Sequence, residues 1–165
     1  MSILKTLENF TDIITDLERS FELYGEHVID EREHLSLEIN LEEMSEKVML
    51  KIDEGVVADF DYTDDSLEAI DKIIGDGFSN VEEIDFDLLD DIVTNMGTYL
   101  GLTIMKNIGG KWHFRTELFN SSIFFESSNF ECFPFHRVAK RLVYGKEESL
   151  HDFYYLLLEK LGVAS

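Results

Sequence analysis

Apolar residues recur through the first thirty positions at Ile3, Leu7, Phe10, Ile14, Leu17, Phe21, Tyr24 and Val28, at alternating spacings of four and three. That rhythm predicts a long amphipathic helix with a single apolar seam and Ser2 as its N-cap. At 1.5 Å per residue it would extend ~39 Å, longer than a small domain is wide. Such a seam either packs along the body of the domain or pairs with a second copy or a partner helix. Asp30 to His34 interrupts it with charge. Leu35, Leu37, Ile39 and Leu41 then alternate like a short strand, while Asn40-Leu41-Glu42-Glu43 has the form of a helix cap. Leu41, Met44, Val48 and Ile52 follow at helical spacing until Gly55, which predicts a helix over 41–54.

Val56 to Tyr62 reads as a short extended stretch. A helix is predicted from near Asp64, carrying Leu67, Ile70 and Ile74 inward as far as Gly75, with a loop from there through Asn80. Leu89, Ile92, Val93, Met96, Tyr99, Leu100, Thr103 and Ile104 mark the longest helix of the second half, ended by Gly109-Gly110. The period then changes. Residues 111–115, 121–126 and 129–133 read as short antiparallel strands, and Pro134 ends them. Two closing helices follow over 135–144 and 150–161, the second capped by Ser149. The predicted fold is α+β and mostly helical: the long N-terminal helix and further helices packed on one small antiparallel sheet of about three short strands. Residues 1–55 form an acidic helical segment and 56–165 an α+β domain, together one compact unit.

Charge adds what the pattern alone lacks. Residues 1–92 hold 28 Asp/Glu against 6 Lys/Arg, a net of −22, whereas residues 93–165 hold 7 against 8, a net of +1. A net charge of about 2–8 in magnitude keeps a small domain soluble, so the acidic half exceeds that need. Its carboxylates are interleaved with Leu, Ile, Val and Phe, unlike a disordered acidic tail. An acidic field attracts basic macromolecules and repels DNA and anionic membranes. The chain has no apolar run of membrane-spanning length, reads as lacking a signal peptide, and has one cysteine, Cys132, which excludes an internal disulfide framework. These features point to a cytoplasmic protein with no direct nucleic-acid or membrane partner.

Two segments echo each other 26 residues apart: Asp59-Phe60-Asp61-x-x-Asp64-Asp65 and Asp85-Phe86-Asp87-x-x-Asp90-Asp91. They read as two helix starts whose aspartates favour the positive end of the dipole. Neither fits a calcium loop, which needs Gly at its sixth position and Glu at its twelfth. From Asp59 those positions hold Asp64 and Ile70; from Asp85 they hold Asp90 and Met96. Cys132 and His136 lie four apart, but the flanking Glu131, Phe133 and Phe135 would raise a thiol pKa rather than lower it. That makes Cys132 a buried structural residue. No metal-binding histidine spacing, phosphate loop or nucleophile elbow occurs. The chain is therefore expected to be non-enzymatic, with no cofactor and no metal. Arg137, Lys140 and Arg141 share one helix face and are expected to pair with the protein's own acidic half.

The second half resembles a family of small uncharacterised bacterial domains with the pattern LDYSxESLxxLD … GxYLG … GGxW … PFxxVxKRL … SLxxFY. The residues that carry the resemblance are Phe60-Asp61-Tyr62-Thr63-Asp64-Asp65-Ser66-Leu67-Glu68 with Ile70-Asp71, then Gly97-Thr98-Tyr99-Leu100-Gly101 and Gly109-Gly110-Lys111-Trp112. Pro134-Phe135, Val138, Lys140-Arg141-Leu142, Gly145, Ser149-Leu150 and Phe153-Tyr154 complete it, over about residues 56–161. A glutamate often follows the second glycine of the GxYLG segment in that family; here Leu102 and Thr103 follow. The resemblance implies an accessory or immunity-type protein of a toxin system and carries no established activity. The physical reading of the same residues is architectural, with Gly97 and Gly101 allowing close helix approach and Trp112 anchoring the core.

Together these features predict an acidic binding protein that captures a basic protein partner, either as the immunity or inhibitor protein of a bacterial toxin or as a DNA mimic. The expected partner-binding residues are Asp59, Asp61, Asp64, Asp65, Asp85, Asp87, Asp90 and Asp91, with Glu18, Glu22 and Glu26 on the outer face of the first helix. The alternative is a homo-oligomeric structural protein assembled as a homodimer through the Ile3–Val28 helix. A third possibility, a ligand-binding or enzymatic domain, requires a pocket lined by Tyr99, Trp112 and Phe124.

Overall fold

In the computed structural model, residues 31–55, 60–77, 86–115 and 118–162 are described. They form five α-helices and a three-stranded antiparallel sheet: α1 (Glu31–Gly55), α2 (Asp64–Gly77), α3 (Phe86–Asn107), β1 (Lys111–His113), β2 (Ser122–Phe125), β3 (Phe130–Cys132), α4 (Pro134–Tyr144) and α5 (Leu150–Leu161). The fold is mostly helical α+β. The predicted Ile3–Val28 seam lies outside the described residues, as does the stretch 56–59.

α3 is the central element, packed between α1 and α4, while α2 packs on α5. The predicted stripes of α2 and α3 face the core: Leu67, Ile70 and Ile74 are buried, as are Ile92, Met96, Tyr99, Leu100 and Ile104. Burying each such aliphatic side chain contributes about 1.5–3 kcal/mol relative to leaving it exposed. α2 continues through the predicted Gly75-Asp76-Gly77 loop to Gly77. The sheet, in the order β1-β2-β3, places Trp112, Ile123 and Cys132 opposite one another on one face. That face meets α3 at Gly101, where an added Cβ would lie 2.4 Å from the Trp112 ring. At Gly97 it would lie 2.4 Å from Phe135 of α4. Both glycines therefore permit close approach, as their place in the pattern suggests. α3 ends where Gly109 and Gly110 take φ of +117° and +86°, which turn the chain into β1.

α1 departs from expectation. It begins at Glu31, ten residues before the predicted start, so the strand-like alternation of Leu35, Leu37, Ile39 and Leu41 lies within a helix. Leu35 and Ile39 are exposed, as is Met44 of the predicted stripe. The inward stripe is Leu37, Leu41, Ser45 and Met49. Ser45 is fully buried because its hydroxyl donates to the Asn95 carbonyl of α3 (3.0 Å), which offsets the desolvation of a polar group in an apolar row. Nor does the predicted extended stretch run to Tyr62: Asp61–Thr63 forms a bend in which Tyr62 has φ of +62°.

Candidate interaction surface

The acidic motif Asp61-Tyr62-Thr63-Asp64-Asp65 is held rigidly at the start of α2. Thr63 precedes the helix, accepts the Ser66 N–H on its hydroxyl (3.4 Å) and donates that hydroxyl to the Asp61 carboxylate (2.6 Å). The Ser66 hydroxyl returns to the Thr63 carbonyl at 2.5 Å and accepts from the buried Tyr99 hydroxyl at 2.8 Å. Tyr62 is clamped in its left-handed backbone conformation from several sides. Its N–H donates to the Tyr99 hydroxyl (2.9 Å) and its carbonyl accepts from the Asn107 amide (2.7 Å). Its ring stacks on Tyr99 at 4.8 Å beneath the Lys106 ammonium, and its hydroxyl donates to Glu46 of α1 (3.3 Å). Burial, followed by the Glu46 carboxylate, pushes the Tyr62 hydroxyl up to about 12. A left-handed non-glycine residue costs on the order of 1–3 kcal/mol, a strain these contacts offset.

The motif presents carboxylates to solvent: Asp61 and Asp65 are exposed and Asp64 is partly exposed. Asp64 accepts the hydroxyl of Tyr155 from α5, and this bond, with help from backbone N–H groups at the helix start, holds its carboxyl below the usual range. Tyr155 and its neighbour Leu156 are themselves exposed, at 40% and 61%. Pattern reading missed both, although a signal was available. The inward stripe of α5 is complete with Leu150, Phe153, Tyr154, Leu157 and Leu158, leaving Tyr155 and Leu156 as apolar residues off the stripe.

Of the predicted partner-binding residues, Asp61, Asp64 and Asp65 come together. Asp90 and Asp91 are exposed in the second turn of α3. They stand ~12 to ~26 Å along that helix from Tyr99 and Asn107, which hold the Asp61–Asp65 turn. Asp87 is in the first turn of α3, while Asp59, Asp85, Glu18, Glu22 and Glu26 lie outside the described residues. The two echoing motifs are not equivalent, since α2 begins at Asp64, the sixth position of its copy, and α3 at Phe86, the second of its own.

Asp71, two turns beyond Asp64, belongs to the architecture. Its carboxylate accepts from the N–H groups of Leu150 and His151 (2.9 and 3.0 Å), the Ser149 hydroxyl (2.9 Å) and the Arg141 guanidinium (3.3 Å). It thus caps α5, neutralises Arg141 and joins α2, α4 and α5. Ser149 is the predicted cap and accepts from Asp152 N–H (3.1 Å). Arg141 pairs with the acidic half as predicted, whereas Arg137 pairs with Glu148 of the second half (3.1 Å).

The remaining chemistry-bearing groups lie in the core. Cys132 is buried and forms no disulfide. His136 is fully buried between Phe119 and Phe133 with Nε2 on the Asn120 side-chain oxygen at 3.0 Å. Its burial, reinforced by Lys140, Arg115 and Arg137, lowers its pKa to about 3. Arg115 and Glu131 form a buried pair at 2.9 Å. Tyr99 and Trp112, two of the three residues expected to line a ligand pocket, are buried in the core. The described residues instead show an open cleft of about 560 Å³ bounded by Ile108, Lys111, Phe124 and Glu126. Among the described residues no group of three or more His, Cys, Asp or Glu is placed to hold a metal ion, and no helix is long and apolar enough to cross a membrane. No family model, curated protein or solved structure matches the chain.

Proposed function

We propose that the protein is a non-enzymatic binding protein that captures a basic protein partner through the carboxylates of the Asp61–Asp65 turn. The observation that supports this most is a rigid turn in a left-handed conformation that presents exposed aspartates instead of neutralising them. No described lysine or arginine forms an ion pair with Asp61, Asp64 or Asp65, whereas Asp71 on the same helix is fully engaged. Electrostatic steering toward such a surface speeds association and weakens with salt. The family resemblance makes a toxin the leading class of partner, with a DNA-mimic role as the alternative. A mimic would need carboxylates in a row at phosphate-like spacing, and the gap between the Asp61–Asp65 group and Asp90-Asp91 favours a discrete acidic interface.

A tagged pull-down from the native host's lysate at low and high salt, identified by mass spectrometry, tests this. The expected result is one stoichiometric basic protein at low salt, depleted at high salt. Recovery of the protein alone contradicts it.

A further inference from the structure

Four carboxylate-bearing residues, the partly exposed Asp64 and exposed Asp65 on α2 with the exposed Asp152 and Glu159 on α5, flank the two apolar side chains that α5 turns outward, Tyr155 and Leu156. The fold does not require those two residues in its core, because the buried stripe of α5 is complete without them. Folding also leaves exposed apolar groups elsewhere, such as Leu35 and Ile39 on α1. The α5 pair differs in two ways. Tyr155 is oriented by donating its hydroxyl to Asp64, and the patch adjoins the acidic turn. A pre-oriented tyrosine gives contact area at low entropy cost, and protein interfaces concentrate their energy in such aromatic anchors ringed by polar groups. The described lysines nearest this face are held over rings, Lys160 over Phe130 at 4.6 Å and Lys106 over Tyr62 at 4.5 Å.

We infer that Tyr155 and Leu156 form the apolar centre of the partner interface, with the carboxylates as its rim. The occupant that fits is a basic protein surface with an apolar socket or side chain ringed by lysine or arginine. A second copy of this chain is disfavoured because like-charged rims would meet. The inference rests on the proposed capture of a basic partner. It adds that carboxylates supply steering and salt sensitivity, whereas Leu156 supplies contact energy that salt does not screen.

Site-specific photocrosslinking in the native host's lysate tests it, using the full chain with p-benzoylphenylalanine at position 156 and, as control, at Tyr144 of α4, another exposed apolar residue. The expected result is one adduct with a lysine- and arginine-rich protein from position 156 and none from 144. Leu156→Ala should lower recovery of that protein about tenfold at every salt concentration. Because Leu156 is exposed, the variant should melt with the wild type, and Tyr155→Phe provides a second, milder probe. Capture that is lost in Asp65→Lys but unchanged in Leu156→Ala overturns the apolar centre and leaves the charge-based capture standing. If the wild type captures no basic protein, both fall. An adduct of position 156 with the protein itself overturns the inference in favour of a second copy.

Discussion

Asp64 and Asp71 sit seven residues apart on one helix, both facing α5, yet they do opposite things. Asp71 accepts four hydrogen bonds, closes the N-terminus of α5 and neutralises a buried arginine. Asp64 accepts one side-chain hydroxyl and is flanked by Asp61 and Asp65 in solvent. The first is a structural carboxylate and the second a presented one. The contrast shows why counting acidic residues overstates a binding surface: a net charge of −22 in the first half includes carboxylates that the fold has already used.

The sharpest way to break the comparison is to remove Asp71. Asp71→Ala should leave the buried Arg141 without its carboxylate partner and the Leu150 and His151 N–H groups without acceptors, costing about 3–5 kcal/mol in chemical denaturation. A loss well under 1 kcal/mol would make Asp71 as dispensable as an exposed carboxylate. Acidification should have the next largest effect. Folding favours neutral His136, whose pKa falls to about 3 from an ordinary value near 6.5. Its contribution is therefore fully present above pH 6.5 and lost by at most about 1.4 kcal/mol per pH unit as the pH falls toward 3. His136→Gln should flatten the denaturation midpoint between pH 6.5 and 4.5 relative to wild type, and parallel curves would argue against a buried neutral imidazole. Tyr155→Phe should have the smallest effect on folding, leaving the melting temperature unchanged. The Asp64 carboxyl should nevertheless titrate higher by NMR, because its lowering depends first on the Tyr155 hydroxyl. An unchanged titration would dissolve the link between the acidic turn and α5.

The same contrast explains what could be read from the sequence. Leu67, Ile70 and Ile74, the strands, the Ser149 cap and the close approaches at Gly97 and Gly101 follow from spacing within a few residues, and they are where expected. The start of α1 was hidden because burial there depends on partners distant in sequence. Ser45 is buried through a carbonyl fifty residues away, while the apolar Leu35, Ile39 and Met44 stay in solvent. The left-handed Tyr62 is likewise held by Tyr99 and Asn107, and Asp64 meets Tyr155 ninety-one residues on. The sequence located the aspartates of the candidate surface. Which of them stand together, and which hydrophobic pair adjoins them, depends on how α2, α3 and α5 pack.

The central claim is that Asp61, Asp64 and Asp65 act together as the charge that captures a basic partner. The most direct measurement compares the affinity of wild type and the Asp61→Lys/Asp65→Lys double variant for the protein recovered at low salt, by calorimetry across a salt series. The account predicts that the variant folds normally, binds at least a hundredfold more weakly at low salt and has a shallower dependence on salt. Equal affinity and an equal salt slope would contradict it, leaving the acidic turn as a solvated surface.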